Sequence, residues 1–242
     1  PGVIRRYLDI GCIVLMTGSK FAGGPPFSGF ALVPVAVQRR ARPLPTGFRR
    51  LAARAEWPTG WPGADCLQDL SNPGLLLRLQ AALVEIERFG ALPADSVTHV
   101  IARFNHHATH LVKQLGLGEV PGAGGASCLA SETLRTFDLS KRWPDCDFDT
   151  AKRMHADIAR HSHARFGREV RLGQPVKSHR LADGRSAGTL RLSLSMPMIA
   201  ELAALPPVAL DERLERDMAV VGAAISSAAD TCLASGELVP SA

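Results

Sequence analysis

"MTGSKFAGGPPFSGF", residues 16–30, sets one lysine, Lys20, beside two small hydroxyl residues and ahead of a Gly/Pro-rich run. The stretch before it, "DIGCIVLM" (9–16), has the apolar, β-branched character of a buried strand, and "FALVPVAV" (30–37) after it reads as another. A lysine on the loop between two buried strands sits at the edge of a core, where an ammonium group is costly to desolvate. Three readings follow. Lys20 lays its stem along the core edge with its charge in water, or it binds phosphate, or it is a chemically tuned amine.

The 242 residues carry a net charge of +5, with 46% hydrophobic and 21% charged residues, an ordinary composition for a chain with a substantial core. The basic residues are scattered through "RRYL", "QRRARP", "GFRR" and "KRW", and a single Tyr leaves little aromatic interleaving. No nucleic-acid partner is expected on these grounds. Five cysteines (Cys12, Cys66, Cys128, Cys146, Cys232) without a CxxC pair suggest neither a disulfide framework nor a zinc site, and suit a reducing cytoplasm. No run of about 18 apolar residues is present, so no membrane span is expected. Arg5 and Arg6 precede only a short apolar stretch, which does not make a signal peptide. A chain that opens at Pro1 and reaches an interior strand within ten residues is expected to be part of a longer protein.

Along the chain, "TGFRRLAARAEW" (46–57) reads as a short basic helix between Pro45 and Pro58. In "NPGLLLRLQAALVEIERFGALP" (72–93) Asn72 caps a helix with Pro73 at its first position, and Gly90 and Pro93 end it. Its apolar residues run nearly all round, which predicts burial. A further helix, "PADSVTHVIARFNHHATHLVKQL" (93–115), has an apolar stripe from Val97 to Leu115, with His106, His107 and His110 beside it. His106 and His110 have the spacing of two metal ligands, but no third ligand is fixed by the sequence, so polar-face histidines and no metal are expected. "GLGEVPGAGGAS" (116–127) reads as a linker. Beyond it come a strand (131–139), a helix (149–167), a strand "EVRLGQPV" (169–176), an "ADGR" hairpin turn, a strand "GTLRLSLS" (188–195) and a final helix (211–233). This order predicts two parts, 1–115 and 116–242, the second a small α+β domain.

Spacing removes the phosphate-loop reading of Lys20. Ser19 precedes it where a Walker loop needs Gly, and Phe21 follows where Ser or Thr is needed. The glycines open no helix, so a dinucleotide fingerprint fails too. What remains is a structural or surface lysine, or an amine that forms a Schiff base. The second role needs a closed pocket and gains from hydroxyls for an anionic cofactor group, which Thr17 and Ser19 supply.

"TGSKFAGGPPFSGFALVP" (17–34) resembles the lysine segment of pyridoxal-phosphate (PLP) enzymes of the aspartate-aminotransferase fold, fold type I, class V aminotransferase-like group. There a strand runs into Ser/Thr-x-x-Lys and a Gly/Pro-rich turn leads to the next strand. "TLRLSLS" (189–195) resembles the same family's Arg-hydrophobic-Ser strand. The double proline Pro25–Pro26 and Phe27 depart from the commoner Gly-Pro-x-Gly turn. The resemblance implies an α/β fold: the end of a large-domain sheet, connecting helices, and a small α+β domain. It implies that Lys20 holds PLP and moves the substrate's α-proton, that Thr17 and Ser19 bind the cofactor, and that Arg191 grips a substrate carboxylate. An amino or keto acid would be the substrate, with transamination the default reaction, in a cytoplasmic homodimer whose other cofactor contacts lie before Pro1. Two alternatives stand beside it: a truncated or degenerate PLP-fold chain without catalysis, and a non-enzymatic interaction module built on the 72–115 helices.

Overall fold

Asn72 accepts a hydrogen bond from the Leu75 amide at 3.0 Å and, with Pro73 in the first turn, starts helix α3, Pro73–Gly90. The computed structural model describes residues 2–120 and 132–234 and shows a mixed α/β protein. Its chain divides into two compact units: residues 1–91 with Ser195–Pro197, and residues 92–194 with 198–242. The division falls before the helix that begins at Ala94, which therefore belongs with the second unit, where the sequence suggested a boundary after residue 115.

In the first unit a helix α1 (Gly2–Asp9) precedes strand β1 (Val14–Thr17), which pairs antiparallel with β2 (Gly29–Leu32). β2 stops short of Pro34, which caps a four-residue helix α2 (Val35–Gln38). The expectation of two buried strands is corrected here. The pair forms a two-stranded hairpin, and Leu15 is 80% exposed. Among the described residues no third strand pairs with either of them. The expected basic helix at 46–57 is instead two 3-10 turns, Thr46–Arg50 and Arg54–Glu56. α3 has the predicted length and cap but not the predicted burial: Ala82 alone is buried, and Leu76, Leu77, Leu83 and Val84 are exposed.

The second unit holds most of the core. Helix α4 (Ala94–Leu115) buries Val100, Phe104, Ala108, Leu111 and Val112, largely the stripe read from the sequence. Gly116, in the left-handed region at φ 65°, ends it. The predicted linker then begins with a strand, β3 (Gly118–Val120), while its remainder and Cys128 lie outside the described residues. β3, β4 (Leu134–Asp138) and β5 (Thr189–Ser193) form an antiparallel sheet in the order β3–β4–β5.

Between β4 and β5 runs helix α5 (Phe148–Phe166), capped by Asp147, whose carboxylate accepts from the Thr150 amide at 2.8 Å. The expected strand at 169–176 is reduced to an isolated bridge, Gly173 to Arg191. Pro175 has no amide to offer a ladder, and the Thr189 hydroxyl takes over by donating to Val176 O at 2.8 Å and accepting its amide at 3.0 Å. The ADGR turn forms as predicted, with Gly184 at φ 84° and the Gly184 amide on Leu181 O. A helix the sequence reading missed, α6 (Met196–Ala203), precedes the long α7 (Pro207–Ala234). Among the described residues α7 is long and apolar enough to cross a membrane, but Leu210, Leu214, Ile225, Ala228 and Ala229 spend its apolar side in the core.

Candidate functional site

Lys20 lies on the connection between β1 and β2, and every anchor of this connection is in the first unit. The Gly23 amide bonds Lys20 O at 3.0 Å, closing a turn that Gly23 permits by its φ of 74°. The Gly24 amide reaches Gly18 O at 2.7 Å, and the Gly18 amide reaches Ser28 O at 3.0 Å. Gly18 and Gly24 both press on Ala82 of α3. A Cβ added at either would fall 2.5 or 2.6 Å from the Ala82 methyl. At Gly23 an added Cβ would strike the Pro197 ring at 2.5 Å, and the Met196 amide donates to Phe21 O at 2.7 Å. The glycines therefore let the turn sit flush on α3 and on the Ser195–Pro197 segment.

The far side of the loop is closed by Ser28. Its hydroxyl, fully buried, donates to Pro25 O at 2.7 Å. Phe27, at φ 62°, holds the turn position that usually calls for glycine. Its ring is 85% exposed, so packing of the side chain does not account for a conformation that β-carbon residues avoid.

On this fixed turn the structure brings together three of the four residues singled out from the sequence. The Thr17 and Ser19 hydroxyls are 3.0 Å apart, and the Ser19 amide also approaches Thr17 Oγ1, at 3.4 Å. Lys20 is exposed, not enclosed in the pocket that the amine chemistry was expected to need. No pattern in the sequence singles out Ala82, whose small side chain makes the glycine contacts possible.

Arg191 belongs to the second unit, on β5 opposite Thr136. Leu190, Leu192 and Leu194 alternate along the strand and are buried, and Thr189, on Arg191's side of the alternation, is fully buried as well. Arg191 is half-buried, and its Nε donates to Gln174 O at 2.7 Å, which leaves the two terminal amino groups of the guanidinium clear of that bond. Gln174 thus meets Arg191 through its backbone, and the Lys177 ammonium lies 5.4 Å from the centre of the Phe148 ring.

Two other groups weighed from sequence have structural partners. His107 Nε2 contacts Asp211 Oδ1 at 3.3 Å, and Arg103 Nε donates to the same oxygen at 2.6 Å. Cys146 is fully buried, with its thiol 3.9 Å from Met154 Sδ. Burial, reinforced by Asp147 and Asp138, pushes this thiol up to about 12, so it stays protonated and unreactive near neutrality.

The sequence reading gave no role to Arg135, on β4. Its side chain is 2% exposed and pairs with Glu119 of β3. It also donates to Asn105 Oδ1 at 2.8 Å and Thr109 Oγ1 at 3.2 Å, tying the sheet to α4. No protein-family model matches this chain, no curated protein matches its sequence, and no solved structure matches its fold.

Proposed function

We propose that this chain is the C-terminal portion of a PLP-dependent transferase of fold type I, class V aminotransferase-like, in which Lys20 is the residue that holds the cofactor. The observation that supports the reading is the pair of Thr17 and Ser19 hydroxyls, 3.0 Å apart, on the same glycine-locked turn that carries Lys20. An amine and two converging hydroxyls are the donor set that suits a phosphorylated aldehyde, the amine for the carbonyl carbon and the hydroxyls for phosphate oxygens. The space beside Gly18, Gly23 and Gly24 is filled by Ala82 and Pro197, so these glycines fix the turn and do not cradle the cofactor.

When bound, PLP supplies an electron sink for chemistry at the α-carbon of an amino or keto acid, with transamination as the default outcome. Lys20, exposed on its turn, would take and return the proton at that carbon. Arg191 would bind the substrate carboxylate through the guanidinium groups left free by Gln174 O, a planar pair suited to two-point capture. A homodimer in the cytoplasm completes the proposal.

The test is borohydride reduction of the parent polypeptide in the presence of PLP, followed by peptide mass analysis. The pyridoxyl group is expected on Lys20 and absent in Lys20→Arg, which keeps the charge. Labelling spread over Lys113, Lys141, Lys152 and Lys177 would mark Lys20 as an ordinary surface amine and overturn the assignment.

A further inference from the structure

The second unit carries a basic cleft that the proposal for Lys20 does not use. A cavity of about 520 Å³ opens between the 142–145 loop, the start of α5, and the end of α7. Arg142, Arg153 and Arg185 all line it, together with Trp143 and the single acid Asp145. A second hollow of about 550 Å³ shares Arg153 and Cys232 with the first and continues along α5 past Arg160. Arg153 and Arg160 are seven residues apart, hence on one face of the helix and separated by about 10 Å along its axis.

The balance of paired and unpaired charge decides what this cleft attracts. Arg185 is committed, with Nε on Asp183 Oδ2 at 2.6 Å and Nη1 on Asp147 Oδ2 at 2.7 Å. Asp149 is met by Lys152 at 3.3 Å. Asp157 is held by Arg165 at 2.6 Å and by His161 at 2.7 Å. Burial would raise the Asp157 carboxyl, but those two hydrogen bonds outweigh it and keep the group below the usual carboxylate range, so it stays a satisfied anion.

Among the described residues, the side chains of Arg142 and Arg160 make no hydrogen bond or ion pair. Arg153 makes one to a neutral partner, the Thr150 hydroxyl at 2.9 Å, which orients its guanidinium. Across the two adjoining hollows, Arg142, Arg153 and Arg160 thus lack an acidic partner, and Asp145 is the one carboxylate without a basic one. Arginines without an acidic partner, lining a concave surface, favour anions with several acceptor oxygens. The half-buried ring of Trp143 at the wall adds a flat apolar surface beside them.

We infer that this cleft binds a small organic polyanion, a phosphate ester or a polycarboxylate, through Arg142, Arg153 and Arg160. The site lies wholly in the second unit and is independent of the chemistry proposed for Lys20.

Isothermal titration of the full chain with pyrophosphate, ADP, citrate and adenosine tests it, at a fixed salt concentration because such contacts are screened. Pyrophosphate, ADP and citrate are expected to bind, and adenosine is not. Tighter binding of citrate than of the phosphates would assign the natural ligand to the polycarboxylates, and the reverse order to the phosphate esters. Arg142→Ala and Arg153→Ala should each weaken the anions by about tenfold or more, the loss of one charged hydrogen bond. Arg153→Lys should recover part of the loss. Arg168→Ala removes the same charge at a residue paired with Asp217 and should change affinity less than about twofold, the scale expected of a distant screened charge. Arg142 and Arg153 are exposed and neither is ion-paired, so their substitutions leave the fold intact, which circular dichroism verifies. Three results overturn the inference: no binding of any anion at millimolar concentration, binding of adenosine equal to that of ADP, or equal losses in Arg168→Ala and Arg142→Ala.

Discussion

The two units bury very different shares of similarly apolar sequence. In residues 92–194 and 198–234, α4, α5, α7 and the sheet enclose Phe104, Leu111, Phe137, Met154, Leu190, Ile199 and Ile225 at 3% exposure or less. In residues 2–91 the buried apolar side chains are Ala22, Ala64, Leu67 and Ala82, while Val3, Ile10, Leu15, Val35, Leu51, Leu76 and Leu77 stay in solvent. An apolar run records that a segment can be buried, and the number of layers around it decides whether it is. The first unit has one hairpin and one long helix, and a two-stranded sheet offers too little area to cover both. The second has a three-stranded sheet with helices of 19, 22 and 28 residues to close over it.

The strongest way to break this comparison is at Arg135. The tripeptide Thr-Leu-Arg occurs on two adjacent strands, at 133–135 and at 189–191, with opposite fates. Arg135 is sealed in with Glu119, Asn105 and Thr109, whereas Arg191 is half-exposed with one bond to Gln174 O. Burial pulls the Arg135 guanidinium below its ordinary value, the mark of a charge with little water around it. Arg135→Ala strands the Glu119 carboxylate and should cost about 3–5 kcal/mol of the second unit's stability. Arg191→Ala should cost about 0.5–1.5 kcal/mol. Denaturant titration followed by circular dichroism measures both, and equal losses would mean that Arg135 is no more central than its counterpart.

The same pair shows where sequence reading ends. Alternation sends Leu190, Leu192 and Leu194 inward, and the Asn72 cap, the α4 stripe and the Gly184 turn follow from local chemistry. What buries Arg135 is a strand fifteen residues earlier in a stretch rich in glycine and a helix before that, which no local pattern encodes. The segment at 169–176 misleads for a related reason: its apolar alternation is real, but Pro175 has no amide for a ladder, and only Gly173 bridges to Arg191. At the Lys20 turn, the hydroxyls and the lysine are visible in order along the chain. Their fixing by Ala82 is not, because an alanine 62 residues further along the chain carries no signal of its own.

A smaller effect is expected at that turn. Gly24 has an ordinary φ, so substitution there tests space alone. An alanine methyl would lie 2.6 Å from Ala82 Cβ and 2.7 Å from Gly18 O, both backed by backbone that cannot swing away. Overpacking of this kind costs about 1–3 kcal/mol. Gly29→Ala is the control, since its nearest neighbour is Met16 O at 3.6 Å. Hydrogen exchange of the Gly18 and Gly24 amides should quicken in Gly24→Ala and not in Gly29→Ala. If neither variant changes exchange, the turn is not held by α3, and the fixed geometry of Thr17, Ser19 and Lys20 loses its basis.

The smallest effect belongs to α3 itself, and it bears most directly on the contrast between the units. Leu77 on α3 is 66% exposed and Leu111 on α4 is 3% exposed, although both are leucines on helices of similar length. Leu111→Ala opens a cavity in a packed core, where such changes cost about 2–5 kcal/mol. Leu77→Ala removes no packed neighbour and exchanges one strong helix former for another, so its cost should stay within about 0.5 kcal/mol. Thermal unfolding of the two variants at several protein concentrations is the measurement. A loss of 2 kcal/mol or more at Leu77 would require that its side chain is covered in solution. A loss that grows with concentration would identify the cover as a second copy of the chain, because only association makes stability depend on concentration. A concentration-independent loss would mean that α3 packs within its own chain, and the first unit would then be better buried than its hairpin and helix alone allow.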